Sequence, residues 1–307
     1  MATLSVIIPA RNEEFLARTV ENVLANMRGD TEVIAVCDGG WPDPPLQDHP
    51  HLQTIHFTES VGQRAATNAG ARLSEATYMM KLDAHCLVDE GFDVKLADPY
   101  ESGELETTTT TIPRMYNLYG FDWVCEDGHR RYQSPSGPCR ICGKPTERDI
   151  IWRTRLSRKT DFARFDRTPQ FQYWKDYKKR PAAATEIAET MCHVGASWFM
   201  RRDRYFELGG LDEAHGSWGQ VGIETSCKAW LSGGRLVVNK RTWFAHLFRT
   251  QGGDFGFPYP ISHEQQERSR AHSRKLWFDG QWPQTVRPLS WLLDKFAPVP
   301  GWHDAAA

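Results

Sequence analysis

The run Tyr78-Met79-Met80-Lys81-Leu82 constrains this chain most, because it is short, largely apolar and stops on Asp83-Ala84-His85. A strand with so little polar alternation fits the middle of a parallel sheet that is covered on both faces. Open α/β sheets bind their ligands beyond the carboxyl ends of such strands. Asp83 and His85 stand two apart, so at a strand end both side chains can reach one side. A carboxylate beside an imidazole suits Mn²⁺, Zn²⁺ or a similar divalent ion.

The flanking pattern is that of an α/β fold. Leu4 to Pro9 is a β-branched apolar run stopped by proline, and apolar residues then recur at helical spacing from Phe15 to Met27. Glu32 to Cys37 is a second strand that leaves through Asp38-Gly39-Gly40, and Thr54 to Phe57 precedes a helix over Gln63 to Leu73. Alternation of this kind predicts a mostly parallel, Rossmann-like central sheet. The 307 residues allow one large or two modest domains. A net charge of −2 gives no bulk attraction to nucleic acid or membrane, and no apolar run approaches the ~20 residues of a membrane span. The N-terminus lacks the basic region of a signal peptide. Seven cysteines, an odd number, with three in metal-like spacing, point to a reducing and therefore cytoplasmic setting.

Val6-Ile7-Ile8-Pro9-Ala10-Arg11-Asn12-Glu13, Cys37-Asp38-Gly39-Gly40 and Leu82-Asp83-Ala84-His85 resemble the opening of a GT-A family 2 glycosyltransferase. The likeness is closer to the polypeptide N-acetylgalactosaminyltransferases, which also use Asp-x-His. Trp218 to Gly234 is similar to their Trp-Gly-Gly-Glu-Asn-x-Glu segment, and Ala245-His246-Leu247-Phe248-Arg249 to their Gly-His-Val-Phe-Arg. These matches keep their order across the chain outside roughly 115–185 and the last thirty residues.

The resemblance implies a UDP-sugar donor, a hydroxyl acceptor and a divalent cation, Mn²⁺ by preference, on Asp83, His85 and the distant His246. Read alone, His246 is a half-buried histidine in an aromatic strand. The resemblance also implies that Pro9, Arg11, Glu13, Asp38, Arg64, Asp83, Trp218 and Arg249 surround the nucleotide sugar, with Asp38 on the uracil N3–H. Asp38 is equally a turn-former before two glycines. Gly252, Gly253 and Gly256 correspond to a mobile lid. At the catalytic base the match fails. By the resemblance, the Glu-Asp or Asp-Asp pair of inverting members, which is Glu-Asn in the N-acetylgalactosaminyl enzymes, falls on Val221 and Gly222, neither of which takes a proton, and the next acid, Glu224, is the remaining candidate. Inversion and a retaining front-face reaction both stay open. So does a non-catalytic sugar- or nucleic-acid-binding module on a decayed transferase fold.

Between the two halves, Cys125-x3-His129-x9-Cys139-x2-Cys142 has the spacing of a closed, structural Cys₃His zinc site. From Arg148 to Arg180 the chain is basic and aromatic. Cations that track phosphates among rings that stack bases are what nucleic acid needs, so DNA carrying a hydroxylated base is one acceptor class, beside protein, glycan and small-molecule hydroxyls. The expected organisation is a GT-A domain over residues 1–275 with a zinc-ribbon-like insertion at about 115–185, followed by an aromatic extension, 276–307, that packs back on it.

Overall fold

The computed structural model describes residues 2–133, 135–249 and 255–302. In chain order the elements are β1 (Leu4–Ala10), α1 (Leu16–Asn26), β2 (Thr31–Asp38), β3 (Leu52–Phe57), α2 (Gln63–Leu73), β4 (Tyr78–Leu82), β5 (Cys86–Val88), α3 (Phe92–Glu101), β6 (Thr109–Cys125), β7 (Arg130–Tyr132) and β8 (Thr146–Thr160). They continue with β9 (Ala163–Phe165), β10 (Phe171–Tyr173), β11 (Ile187–Glu189), β12 (Ser197–Arg201), α4 (Arg202–Glu207), α5 (Val221–Leu231), β13 (Arg235–His246), α6 (His263–Ser273) and α7 (Leu289–Lys295).

The central sheet runs β11-β13-β6-β12-β4-β1-β2-β3. It is mixed: β3, β2, β1 and β4 are mutually parallel, β12 runs against β4 and β6, and β13 is again parallel to β6. Every residue of β4 is buried, as the lack of alternation in its sequence predicts. Helix α2 lies so close over β1 that a side chain at Gly70 would meet Ile7 Cγ2 at 2.6 Å, which is why a glycine interrupts that helix.

Two pairings carry the site. After His85 the chain forms β5, which runs antiparallel to the end of β13 with Cys86 opposite His246. Helix α1 holds β5 in place: the Cys86 N–H donates to Thr19 Oγ1 at 3.0 Å and the Val88 N–H to Asn22 Oδ1 at 2.8 Å. Residues 161 apart in the chain are thereby brought edge to edge at the carboxyl ends of β4 and β13.

Strand β6 is long because it serves two partners. Its first half lies in the central sheet, and its second half forms a hairpin with β8 that runs past the site. Trp152 of β8 packs on Phe15 with ring centroids 4.6 Å apart, and Arg148 is paired with Glu14, so the hairpin is fastened to the loop before α1. Leu156 to Arg158 loop out where Tyr116 faces Lys159 but Asn117 faces Arg155. That bulge sits two strands from His246, whose own partner is Asn117. Bulges re-aim side chains beside functional sites.

The basic, aromatic stretch divides, which corrects its reading as one continuous nucleic-acid arm. Phe162, Phe165, Trp174 and Tyr177 are core residues that meet Trp277, Phe296 and Val299 of the C-terminal segment. Arg180 donates to the carbonyls of Phe296 and Pro298, each at 2.7 Å. Rings so buried cannot stack bases. Among the described residues no helix is long and apolar enough to cross a membrane.

Candidate active site

Asp83, His85 and His246 meet at the floor of a cavity of about 520 Å³. His85 Nε2 lies 3.1 Å from His246 Nε2, which is 3.2 Å from Asp83 Oδ2. The His85 Nδ1–H donates to Glu13 Oε2 at 3.2 Å, so its Nε2 presents a lone pair. A carboxylate behind a ligating imidazole fixes ring and tautomer. Burial, with His85 and Lys81 nearby, pushes His246 down to about 4 despite the opposing pull of Asp83; the ring is neutral, the form that ligates. Three electron pairs thus converge on one point, while His246 Nδ1 is buried without a partner among the described residues. The residues fit a divalent cation.

Two further ion pairs tune this floor. Burial alone would raise the Asp83 carboxyl, but the Lys81 ammonium, then His246 and His85, hold it far below the usual range. Lys81 is fully buried and also donates to Gly195 O at 3.1 Å. It occupies Asp83 Oδ1 and leaves Oδ2 for the cation. Glu13 is held low, against burial, by His85 and Arg249. Arg249 is paired with Glu13 and lies over the Phe255 ring at 4.1 Å, so it braces His85 through Glu13.

Pro9, Arg11, Asp38 and Trp218 line the same cavity. Arg11 sits over the Tyr259 ring at 5.0 Å, and Trp218 meets Phe257 edge to face at 5.3 Å. Asp38 accepts from the Val61 N–H at 2.6 Å, the Gly62 N–H at 3.1 Å and Ser60 Oγ at 2.9 Å. Its carboxylate chiefly shapes the turn into α2. Of the glycines expected in a lid, Gly252 and Gly253 lie outside the described residues.

Arg64 and Glu224 are corrections. Both are buried and bonded to each other, Arg64 Nε to Glu224 Oε2 at 2.9 Å. Arg64 also donates to Gly216 O at 3.1 Å and Gly219 O at 2.6 Å, holding the Trp218 loop rather than a nucleotide. Glu224 accepts from the Asp212 N–H at 2.6 Å and from Lys228 Nζ at 3.0 Å. Against burial, Lys228 and Arg64 bring it down to about 2. A carboxylate so occupied and so acidic is no base at neutral pH.

Gly222, onto which the resemblance lays the second acid of inverting enzymes, is closed for steric reasons. A Cβ on Gly222 would lie 2.0 Å from His193 O and 2.8 Å from Gly195 N. At Gly222 the first turn of α5 rests on that backbone and admits no side chain.

Residues 5–140 match the model of glycosyl transferase family 2. The chain carries a glycosyltransferase family 2 domain. Distant similarity to polypeptide N-acetylgalactosaminyltransferases extends over most of its length. The polypeptide N-acetylgalactosaminyltransferase 8 of Drosophila melanogaster is 26% identical over 299 residues, 91% of this chain and 44% of that protein. N-acetylgalactosaminyltransferase 4 of the same organism is 24% identical over 301 residues, 91% of this chain and 40% of that one. A crystal structure of GalNAc-T7 with UDP, GalNAc and Mn²⁺ superposes with a TM-score of 0.67 at 18% identity, covering 96% of this chain and 57% of the other. That likeness shows a shared GT-A fold. The chain spans about half the length of the curated relatives it matches.

Proposed function

We propose that this chain transfers a sugar from a UDP-sugar donor to a hydroxyl acceptor with retention of configuration, a divalent cation being held by Asp83, His85 and His246. The convergence of those three ligands on the cavity floor carries the reading. The presence of UDP, GalNAc and Mn²⁺ in the GalNAc-T7 structure supports it. A cation bound there acts as a Lewis acid on the departing diphosphate. Arg11 and the first residues of α5 line the cavity, where a cation and a helix N-terminus favour an anion.

What is occupied supports retention. The carboxylates among the described lining residues are Glu13, Asp38 and Asp83, each engaged as above. His193 accepts the Gly195 N–H on Nδ1 and bonds Thr225 through Nε2, and burial and Lys81 push it to about 3. The acceptor oxygen therefore bonds to the anomeric carbon on the face where the carbon–phosphate oxygen bond breaks. Its proton passes to the leaving phosphate.

For the acceptor we favour a hydroxyl on DNA. Arg114, Arg130 and Arg148 of the hairpin are spoken for by carboxylates. Arg153 and Arg155 instead lie over Tyr119 and Tyr132, at 5.3 Å and 4.5 Å. With exposed Arg158 and Lys159 they make a cationic, aromatic strip of β8, whose Arg155 pairs with Asn117, the β6 partner of His246. Protein hydroxyls are the second reading, supported by the names of the relatives. The test supplies labelled UDP-sugars and Mn²⁺ with hydroxymethylated DNA, plain DNA and Ser/Thr peptides, and reads the anomer of the product. Transfer to hydroxymethylated DNA that falls at least tenfold in Arg153→Glu/Arg155→Glu, with a shallower salt dependence, is the expected result. Transfer to peptide alone overturns the DNA assignment, and an inverted product overturns the mechanism.

The hairpin tip holds Cys125, His129, Cys139 and Cys142 with ligand atoms within 4.8 Å of one another. His129 Nδ1 is 3.5 Å from Cys125 Sγ and 3.7 Å from Cys139 Sγ. We assign structural zinc to it. Cys142→Ser should release that zinc and open residues 126–145 to protease while the central sheet keeps its melting temperature. A tip equally resistant in the variant would sink the assignment.

A further inference from the structure

Helix α6 is an odd wall for a cavity. Gln266, Ser269 and Arg270 line the site, yet of its eleven residues, HEQQERSRAHS, only Ala271 is apolar and only Ser269 and Ser273 are buried. A helix polar on every side needs some other fastening. A capping box at Ser262 secures its start. Its end is secured by a cluster: His272 Nε2 is 2.7 Å from Asp212 Oδ2, and Ser273 Oγ is 3.0 Å from His215 Nε2.

We propose that Asp212, His215 and His272 form a second divalent-cation site, a staple that locks α6 onto the loop preceding Trp218. One ligand atom from each of Asp212, His215 and His272 lies within 4.8 Å of the other two. The two rings are perpendicular, with centroids 4.5 Å apart. Two hydrogen bonds fix how Asp212 points, since its Oδ1 caps the Ala214 N–H at 3.0 Å and its own N–H donates to Glu224. Oδ2 is left facing the imidazoles, 3.7 Å from His215 Nδ1. The nearby Glu224 charge is already balanced by Arg64 and Lys228, so the site's own charge is that of Asp212. Side-chain exposure of 32% at Asp212 and 24% at His272 gives an ion a way in. Two imidazoles and one carboxylate with a remaining open position favour Zn²⁺. The bound ion would replace the His272–Asp212 hydrogen bond and join two cavity walls, Ser217–Gln220 and Gln266–Arg270.

Zinc counted per chain after dialysis against micromolar zinc tests this, with His272→Gln and His215→Gln compared against the parent chain. The expected result is about one equivalent fewer in each variant, together with a zinc-induced rise in melting temperature smaller than that of the parent. Circular dichroism confirms that the variants are folded. Equal zinc content in parent and His272→Gln overturns the staple. Because His246→Ala empties only the cavity-floor site, failure there and failure here are read separately.

Discussion

His246→Ala leaves the protein folded and removes sugar transfer together with cation-dependent UDP binding. The imidazole is neutral and its Nδ1 has no partner among the described residues, so its loss leaves no buried charge uncompensated. Under the proposed function, what goes is one of three ligands to an ion that would stabilise a leaving diphosphate by several kcal/mol, or roughly 10³-fold in rate. Asp83→Ala reaches the same ligand set less cleanly. It strands the fully buried Lys81 ammonium, and unpairing a buried charge costs about 3–5 kcal/mol. Inactivity of Asp83→Ala would therefore mix chemistry with unfolding. Isothermal titration of UDP with and without Mn²⁺ checks the His246 variant. Retained transfer, or UDP affinity that still rises with Mn²⁺, would remove the cation from the cavity floor.

Much of the candidate cation site is legible in the sequence because its determinants are local. A largely apolar approach with no alternation marks β4 as central, and a strand end places Asp83 and His85 together whatever follows. His246 needs the resemblance, since the contact depends on β5 pairing with β13 across the whole chain. Arg64 and Glu224 mislead for the same reason: each is a charged residue inside a matched motif, and they pair with each other across 160 positions, Lys228 adding a second, local partner to Glu224. Lys81 reads as no more than a polar interruption in an apolar run. A lysine one pleat before a metal-binding aspartate, in a strand buried on both faces, has nowhere to put its charge except against that carboxylate, and this is the available signal. The Gly222 closure is visible only as a mismatch. Backbone contact with residues 193–195 explains it and belongs to the tertiary structure. The basic, aromatic stretch from Arg148 to Arg180 is ambiguous in principle, because cations over rings serve a core edge and a binding face equally well.

Glu224→Gln should reveal a structural residue. With the carboxylate gone, Arg64 and Lys228 remain buried beside an amide that cannot balance them, at a cost of about 3–5 kcal/mol. For a domain of this size that lowers the melting temperature by roughly 5–10 °C. Below the transition, kcat for transfer should stay within about threefold of the parent, whereas loss of a general base costs roughly 10²- to 10⁴-fold. Acid gives an independent check. Glu224 titrates at about 2 when folded, below its ordinary value of 4.5, so its contribution is complete above about 4.5 and drains away as pH falls toward 2. The gap in melting temperature between parent and variant should therefore narrow across that interval and stay constant above it. A large fall in kcat at unchanged melting temperature would restore Glu224 as the base. It would also require its side chain to leave Arg64 and Lys228 and cross to the far side of α5's first turn, where Gly222 already touches backbone.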